Sequence, residues 1–248
     1  MVDLERRVRM LTLCTAASVA CTLILAAYVL SGRAHGRFAQ IDAARINIVG
    51  TNGKPVLALA NRERIPGPSM NGTDYPRDVS DGREFMSGMI FFNEEGDEVG
   101  GLIYAGIPRG DGYSAVGHLS FDQWKQNQVV ALQYNDNGTA RRAGLGVWDR
   151  PTVVSMNQQL DLTVRMLEAD GGEREALRAE AEAARARGEY GVQRLFVGSR
   201  DRDAQVQLLD TRGRERVRLY VDADDEARLE FLDEAGELVA AYPPVEDE

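Results

Sequence analysis

Cysteine is almost missing from this chain: the only two, Cys14 and Cys21, both sit in one apolar run near the N-terminus. Residues 41–248 therefore hold no disulfide, no thiol nucleophile and no thiolate metal ligand. Histidine is equally scarce, with His35 and His118 alone, so the usual zinc and copper donor sets are lacking too. Basic charge is short as well. Residues 1–40 carry five Arg against two acids, which leaves 24 basic and 37 acidic residues in the remainder. A body near −13 has no electrostatic footprint for a phosphate backbone, and nucleic acid is not an expected partner. No cofactor and no metal is expected.

One long hydrophobic run is present. Met10–Leu30 holds no charge and is apolar apart from Thr12, Thr15, Ser18 and Thr22, whose hydroxyls can bond back to helix carbonyls. A bilayer takes about 20 such residues. A cleavable signal is shorter in its apolar part, roughly 7–15 residues, and Cys21 lies inside the run rather than at its end. A retained signal-anchor is therefore the favoured reading over a cleaved signal peptide or a lipoprotein signal. The expected order is a short basic start (1–9), a transmembrane helix (10–30) with the lipid bilayer as its partner, a juxtamembrane linker (31–44), a β-rich domain (45–242) and an acidic tail (243–248). Arg6, Arg7 and Arg9 are nearly matched by Arg33, Arg37 and Arg45, so charge alone leaves orientation open. A short basic start commonly stays inside, and this places the body outside the cytoplasmic (inner) membrane.

From Arg45 onward, alternating apolar runs are interrupted by Asn/Asp/Glu-rich turns that end in Gly. Arg45–Val49 and Val56–Leu59 flank Thr51-Asn52-Gly53-Lys54, which reads as strand, turn and strand, with Asn-Gly supplying positive φ angles. The pattern recurs around Gly96, Gly138, Gly213 and Gly236. Five such hairpins predict a mainly β body of tandem antiparallel hairpins. Ten strands in an open sheet would leave edges, so closure into a barrel or a propeller-like ring is expected. The turn glycines are spaced 43, 42, 75 and 23 residues apart, and the long interval contains a helical pattern over about 155–188, read as a helical hairpin inserted in one connection. Residues 62–88, rich in Pro and Gly, read as an irregular surface excursion.

Chemistry is thin. His118-Leu119-Ser120-Phe121-Asp122 places His118, Ser120 and Asp122 on one strand face, yet side chains two apart on a strand stand roughly 6.5–7 Å apart, too far for a direct proton relay. No catalytic residue is assigned. Calcium could use the oxygens of Asn135–Gly138 or Asp222–Glu226, but both sequences are explained by hairpin turns. The candidate binding residues are Arg64 and Tyr75 in the irregular segment and His118, Ser120, Asp122 and Trp124 in the later one, facing an envelope protein or a glycan.

Arg62–Gly67, Ser87–Gly96 with Gly100-Gly101-Leu102, and Gly117–Gln123 together resemble the signature of a bacterial family of single-pass membrane proteins with no assigned activity, and the likeness extends through Arg150-Pro151, Arg187–Gly191 and the final hairpins. This chain has Trp124-Lys125 where that pattern more often has an aromatic followed by an acid. The resemblance implies a membrane anchor and carries over no site residue. The reading is thus a membrane-anchored extracytoplasmic β domain acting as a binding or scaffolding module, with an acid-using envelope hydrolase and a self-assembling structural protein as alternatives. The oligomeric state is not legible.

Overall fold

The computed structural model describes residues 2–30, 37–80 and 82–244 and divides the chain into two compact units, Met1–Ala43 and Ala44–Glu248. His35 with the rest of residues 31–36 of the 31–44 linker, and the end of the acidic tail, lie outside the described residues.

The first unit contains one helix, α1 (Val2–Leu30). It is long and apolar enough to cross a membrane, with a mean hydropathy of 2.0 in its most apolar window. The hydroxyls of Thr12, Thr15 and Thr22 each donate to the carbonyl four residues earlier at 2.9 Å, which hides three polar groups along the run. The short basic start is not a separate segment, because the helix includes it and Arg7 pairs with Asp3 one turn earlier at 3.3 Å.

The second unit is built on an antiparallel sheet of twelve strands in chain order: β1 (Arg45–Val49), β2 (Pro55–Ala60), β5 (Ser87–Phe92), β6 (Glu98–Arg109), β7 (Gly112–Asp122), β8 (Gln128–Asp136), β9 (Arg141–Asp149), β10 (Val192–Arg200), β11 (Asp203–Leu209), β12 (Glu215–Val221), β13 (Ala227–Leu232) and β14 (Leu238–Tyr242). The two-residue strands β3 (Ser69–Met70) and β4 (Thr73–Asp74) form a separate ribbon in the β2–β5 connection. All five anticipated hairpins are present. β10, which carries no turn signal of its own kind, was not anticipated.

One local device makes most of these turns. The side chain of the first turn residue accepts amide hydrogens two and four positions on: Asn93 from Glu95 and Asp97, Asp210 from Arg212 and Arg214, Asp222 from Asp224 and Glu226, Asp233 from Ala235 and Glu237, all at 2.8–3.0 Å. Three residues after the first, Gly96, Gly213 and Gly236 take positive φ, at 88°, 76° and 86°. A register shift follows within the pair, as between Phe91 and Phe92 or Phe231 and Leu232. An Asx-initiated turn closed by a left-handed glycine is what a bulged hairpin needs. Gly53 alone, and not Asn52, carries the positive φ in the first turn, so that turn is not the two-residue form its Asn-Gly suggested.

The expected closure does not occur. Each strand pairs with its neighbours in the order above, and β1 and β14 are paired on one side only. The sheet stays open because its edges are managed otherwise: both edge strands are five residues long, and Pro243-Pro244 follows β14 directly. Short edges and proline leave little backbone for another chain to pair with.

The sheet has two unlike faces. On one, registered pairing sets Ile46, Leu59, Met89, Leu102, Leu119, Leu132 and Leu145 side by side, and the row continues through Val197, Val206, Leu219, Leu229 and Tyr242. The other face carries Ala58, Ile90, Gly101, Ser120, Ala131, Gly146, Phe196, Gln207, Arg218 and Glu230, and it is this mixed face that the rest of the unit covers.

The cover has two parts. The helical insertion lies between β9 and β10 as α2 (Met156–Glu168) and α3 (Gly171–Ala186). Ser155 starts α2 with a reciprocal capping box to Gln158, and Leu162, Ala169, Leu177 and Ala181 pack the two helices together. The β2–β5 connection is not a surface excursion. Met70, Tyr75 and Val79 are buried with Leu160 of α2 in one cluster, and Ile65 is buried against Ala60 and Ile90. Gly67 is required there, since a β-carbon would stand 1.9 Å from the Tyr75 carbonyl oxygen.

Leu160 therefore holds loop and helix together. Leu160→Ala is expected to cost about 2–5 kcal/mol. Hydrogen exchange should rise in residues 65–80 and in α2 while β11–β14 keep their protection.

Candidate functional site

Between the mixed face and its cover lies a cavity of about 640 Å³. Its floor is the registered set Ile103–His118–Gln133 and Gly101–Ser120, with Asp122 at the end of β7. Its walls come from Ser69, Met70, Ser80 and Arg83 of the β2–β5 connection, from Gln126 and Asn127 of the β7–β8 turn with Gln128 at the start of β8, and from Met156, Gln159, Leu160 and Thr163 of α2. Gly101 lines the cavity without a side chain, and a β-carbon there would lie 2.6 Å from the Met89 carbonyl oxygen.

Arg83 and Glu98 are the charged anchor of this cavity. The guanidinium donates through Nη1 to Oε2 at 2.7 Å and through Nη2 to Oε1 at 2.5 Å, a two-pronged contact with both side chains largely hidden from solvent. Such a pair is expensive to desolvate and costly to break singly. Arg83 Nη1 also reaches the Pro66 carbonyl at 3.3 Å, which ties the loop to the sheet.

Asp122 has no such partner. Burial lifts its carboxyl, the neighbouring Glu98 charge adds to the effect, and Arg150 and Arg83 offset it only in part, so that the pKa is pushed up to about 7. Its Oδ1 and the Nε of Arg83 are among the few buried side-chain atoms in the described residues without a hydrogen-bond partner. Beside them, His118 is held below its ordinary pKa by burial and by the Arg83 charge. Its Nδ1 lies 3.3 Å from the Gln133 amide nitrogen.

The turn after β7 is fixed from several sides. Gln126 is buried and donates to the carbonyls of Pro151 and Val154 at 2.9 and 2.6 Å, which anchors the approach to α2. Lys125 takes a positive φ and pairs with both Glu95 and the fully buried Asp97. Asp97 also accepts the Asn71 amide at 2.6 Å. Burial works against its charge, but the hydrogen bonds from Lys125, Asn93 and Asn71 outweigh it and hold the carboxyl below the usual range. A lysine at this position thus joins two turns and the covering loop.

The six residues singled out from sequence divide accordingly. His118, Ser120 and Asp122 line the cavity together. Trp124 stands outside it, 62% exposed with the Lys125 ammonium 5.1 Å from its ring centre. Tyr75 is not an exposed contact residue but a buried strut, its hydroxyl donating to Asp161 at 2.7 Å. Arg64 is exposed and away from the cavity. Sequence reading missed Arg83, Glu98, Gln126 and Gln133. Gln133 was recoverable only by knowing that it stands opposite His118, and the charged pair sits in stretches that read as surface. Among the described residues, no group of three or more His, Cys, Asp or Glu is placed to hold a metal ion. The Asp222 side chain already receives its own turn amides.

No protein-family model matches the chain, and no curated protein or solved structure is significantly similar to it.

The Asp122 carboxyl binds its proton more readily folded than unfolded, because its pKa rises from 3.8 to about 7. Its contribution favours the fold below about pH 4, fades as pH rises through 4–7, and is lost above. Asp122→Asn should therefore leave stability near pH 4 almost unchanged and raise Tm at pH 8 by at least about 2 °C, read by thermal melts at both pH values. A variant less stable than the parent at pH 8 would count against the buried carboxylate.

Proposed function

We propose that this protein is a membrane-anchored binding module whose cavity takes a hydroxyl-rich polar ligand such as a glycan fragment. The observation that carries this reading is that two residues lining one cavity, Arg83 and Asp122, each hold a buried atom of opposite hydrogen-bonding sense without a partner. Arg83 Nε is a donor without an acceptor, and Asp122 Oδ1 is an acceptor without a donor. A ligand rich in hydroxyls can answer both, because each hydroxyl donates and accepts. Apart from the paired Arg83 and Glu98, Asp122, His118 and one arginine of α3, Arg185, the polar lining is uncharged and largely amide-bearing, as in Gln126, Asn127, Gln133 and Gln159, which suits a neutral ligand better than an ion. A concave, largely pre-formed cavity with a few converging polar groups is the usual form of a small-molecule site.

The apolar helix α1 supports single-pass anchoring in the cytoplasmic membrane, as does the resemblance to single-pass proteins, and the short basic start favours an extracytoplasmic body. Protease applied to intact spheroplasts is expected to remove a C-terminal tag. Protection of the tag would place the body in the cytoplasm and exclude envelope glycans as ligands.

A second reading rests on the cavity's two carboxyls. Asp122 with a pKa near 7 has the proton affinity of a general acid, and Glu98 lines the same space. Glu98 is engaged at both oxygens by Arg83, which leaves it poorly placed to attack or to activate water, and the binding reading is preferred.

Full-length protein in nanodiscs, titrated with soluble cell-wall glycan fragments and chito-oligosaccharides, should bind at least one of them. Gln133→Ala and Asp122→Ala should each weaken that binding roughly 10-fold, about 1.4 kcal/mol. Binding indifferent to both substitutions would exclude the cavity as the site. Release of reducing ends by the parent but not by Asp122→Asn would favour hydrolysis instead.

A further inference from the structure

The polar face of the sheet is covered and the apolar face is not. Leu102, Leu132, Leu145 and Leu219, which share one registered row, are 38%, 56%, 37% and 51% exposed. A second row runs parallel to it from Ile48 to Ala240, and a third runs from Ser87 through Tyr104 and Tyr134 to Ala227. No residue in the three rows is charged. Where the second row has Gly100, the flanking Phe91 and Phe121 rings stack at 6.3 Å between centres and close the gap. Charge returns only at the rim, as in the Asp136–Arg141 pair.

With twelve strands at about 4.8 Å spacing, two rows along all of them and the third along nine, the patch is about 50 Å by roughly 15–20 Å, on the order of 900 Å². Solvent-exposed apolar patches on monomers rarely exceed a few hundred Å², and a stable interface removes about 800 Å² from each partner. The partner must itself offer a long, charge-free apolar surface. An anionic bilayer surface is a poor match, since residues 41–248 carry 37 acids against 24 bases and the rows hold no Lys or Arg to meet its phosphates. The chain's own face is a match in length, width and lack of charge, and two sheets can stack about 10 Å apart with their inner side chains interleaved.

We propose that the occupant of this face is a second copy of the chain, packed sheet on sheet about a two-fold axis near β8 and β9, the middle strands of the twelve. An isologous contact of that kind brings each copy's Leu132 and Leu145 close to those of its partner. The polar cavities then face outward on both sides of the dimer, each reachable without the other.

The test uses the full chain in native membranes, in a Cys14→Ser/Cys21→Ser background. Leu132→Cys is expected to give a covalent dimer with a short bis-maleimide, whereas Thr139→Cys, in the exposed β8–β9 turn, is expected to label and remain single. Leu132→Asp with Leu145→Asp should abolish dimers detected by native mass in detergent. Full reaction of Leu132→Cys with a bulky soluble maleimide and no cross-link would overturn the proposal, as would its cross-linking to lipid. Dimers that survive the double aspartate substitution would place the contact elsewhere, and the maleimide reactions of Leu132→Cys stay decisive even if the double variant fails to fold.

Discussion

A slip of one residue in any strand pairing would exchange the apolar face of this sheet for the polar one, and everything else in the β unit depends on that not happening. The hairpin turns enforce it. An Asx side chain fixes the turn, a glycine at positive φ completes it, and the bulge that follows sets the partner strand one step out. Because every connection but two is a short hairpin, register is handed from strand to strand along the chain. Only thus can a row of apolar side chains run unbroken through twelve strands, and only thus do His118, Gln133, Ser120 and Asp122 share the opposite side.

The two long connections are where the fold departs from repetition. Both land on the polar face, and they stabilise each other there: Leu160 of α2 is buried among Met70, Tyr75 and Val79, and Tyr75 reaches Asp161. A polar sheet face is an unusual floor for a core. Its groups must be satisfied, which the Arg83–Glu98 pair, the Lys125–Asp97 contact and the Glu230 bonds to Arg218 and Tyr220 accomplish. Of the buried side-chain atoms left without a partner among the described residues, those of Arg83 and Asp122 belong to residues that line the cavity, and those of Glu84, Arg142 and Glu215 lie elsewhere.

Much of this was legible beforehand. The five turn-centred hairpins, the helical insertion and the N-terminal apolar helix follow from spacing and turn chemistry, which are local. The placing of His118, Ser120 and Asp122 on one face follows from period-two geometry. Three things were not legible. Closure was inferred from the dislike of open edges, yet five-residue edge strands and a terminal Pro-Pro suffice. The Pro/Gly-rich stretch 62–88 lacks periodicity, and periodicity is what marks a buried element, so Ile65, Met70 and Tyr75 read as exposed. Arg83 and Glu98 are 15 residues apart on different elements, and nothing in either neighbourhood announces that they meet.

The sequence by itself determined the local grammar: which residues turn, which alternate and which form helix. Those properties depend on a few neighbouring residues and on backbone sterics. Only the tertiary structure decided which face is covered and which is bare, and that Asp122 sits buried near an ion pair instead of in water. Such outcomes depend on contacts between elements far apart in the chain. Burial and pairing, which govern both the carboxyl's proton and the exposed apolar rows, exist only after those elements have met.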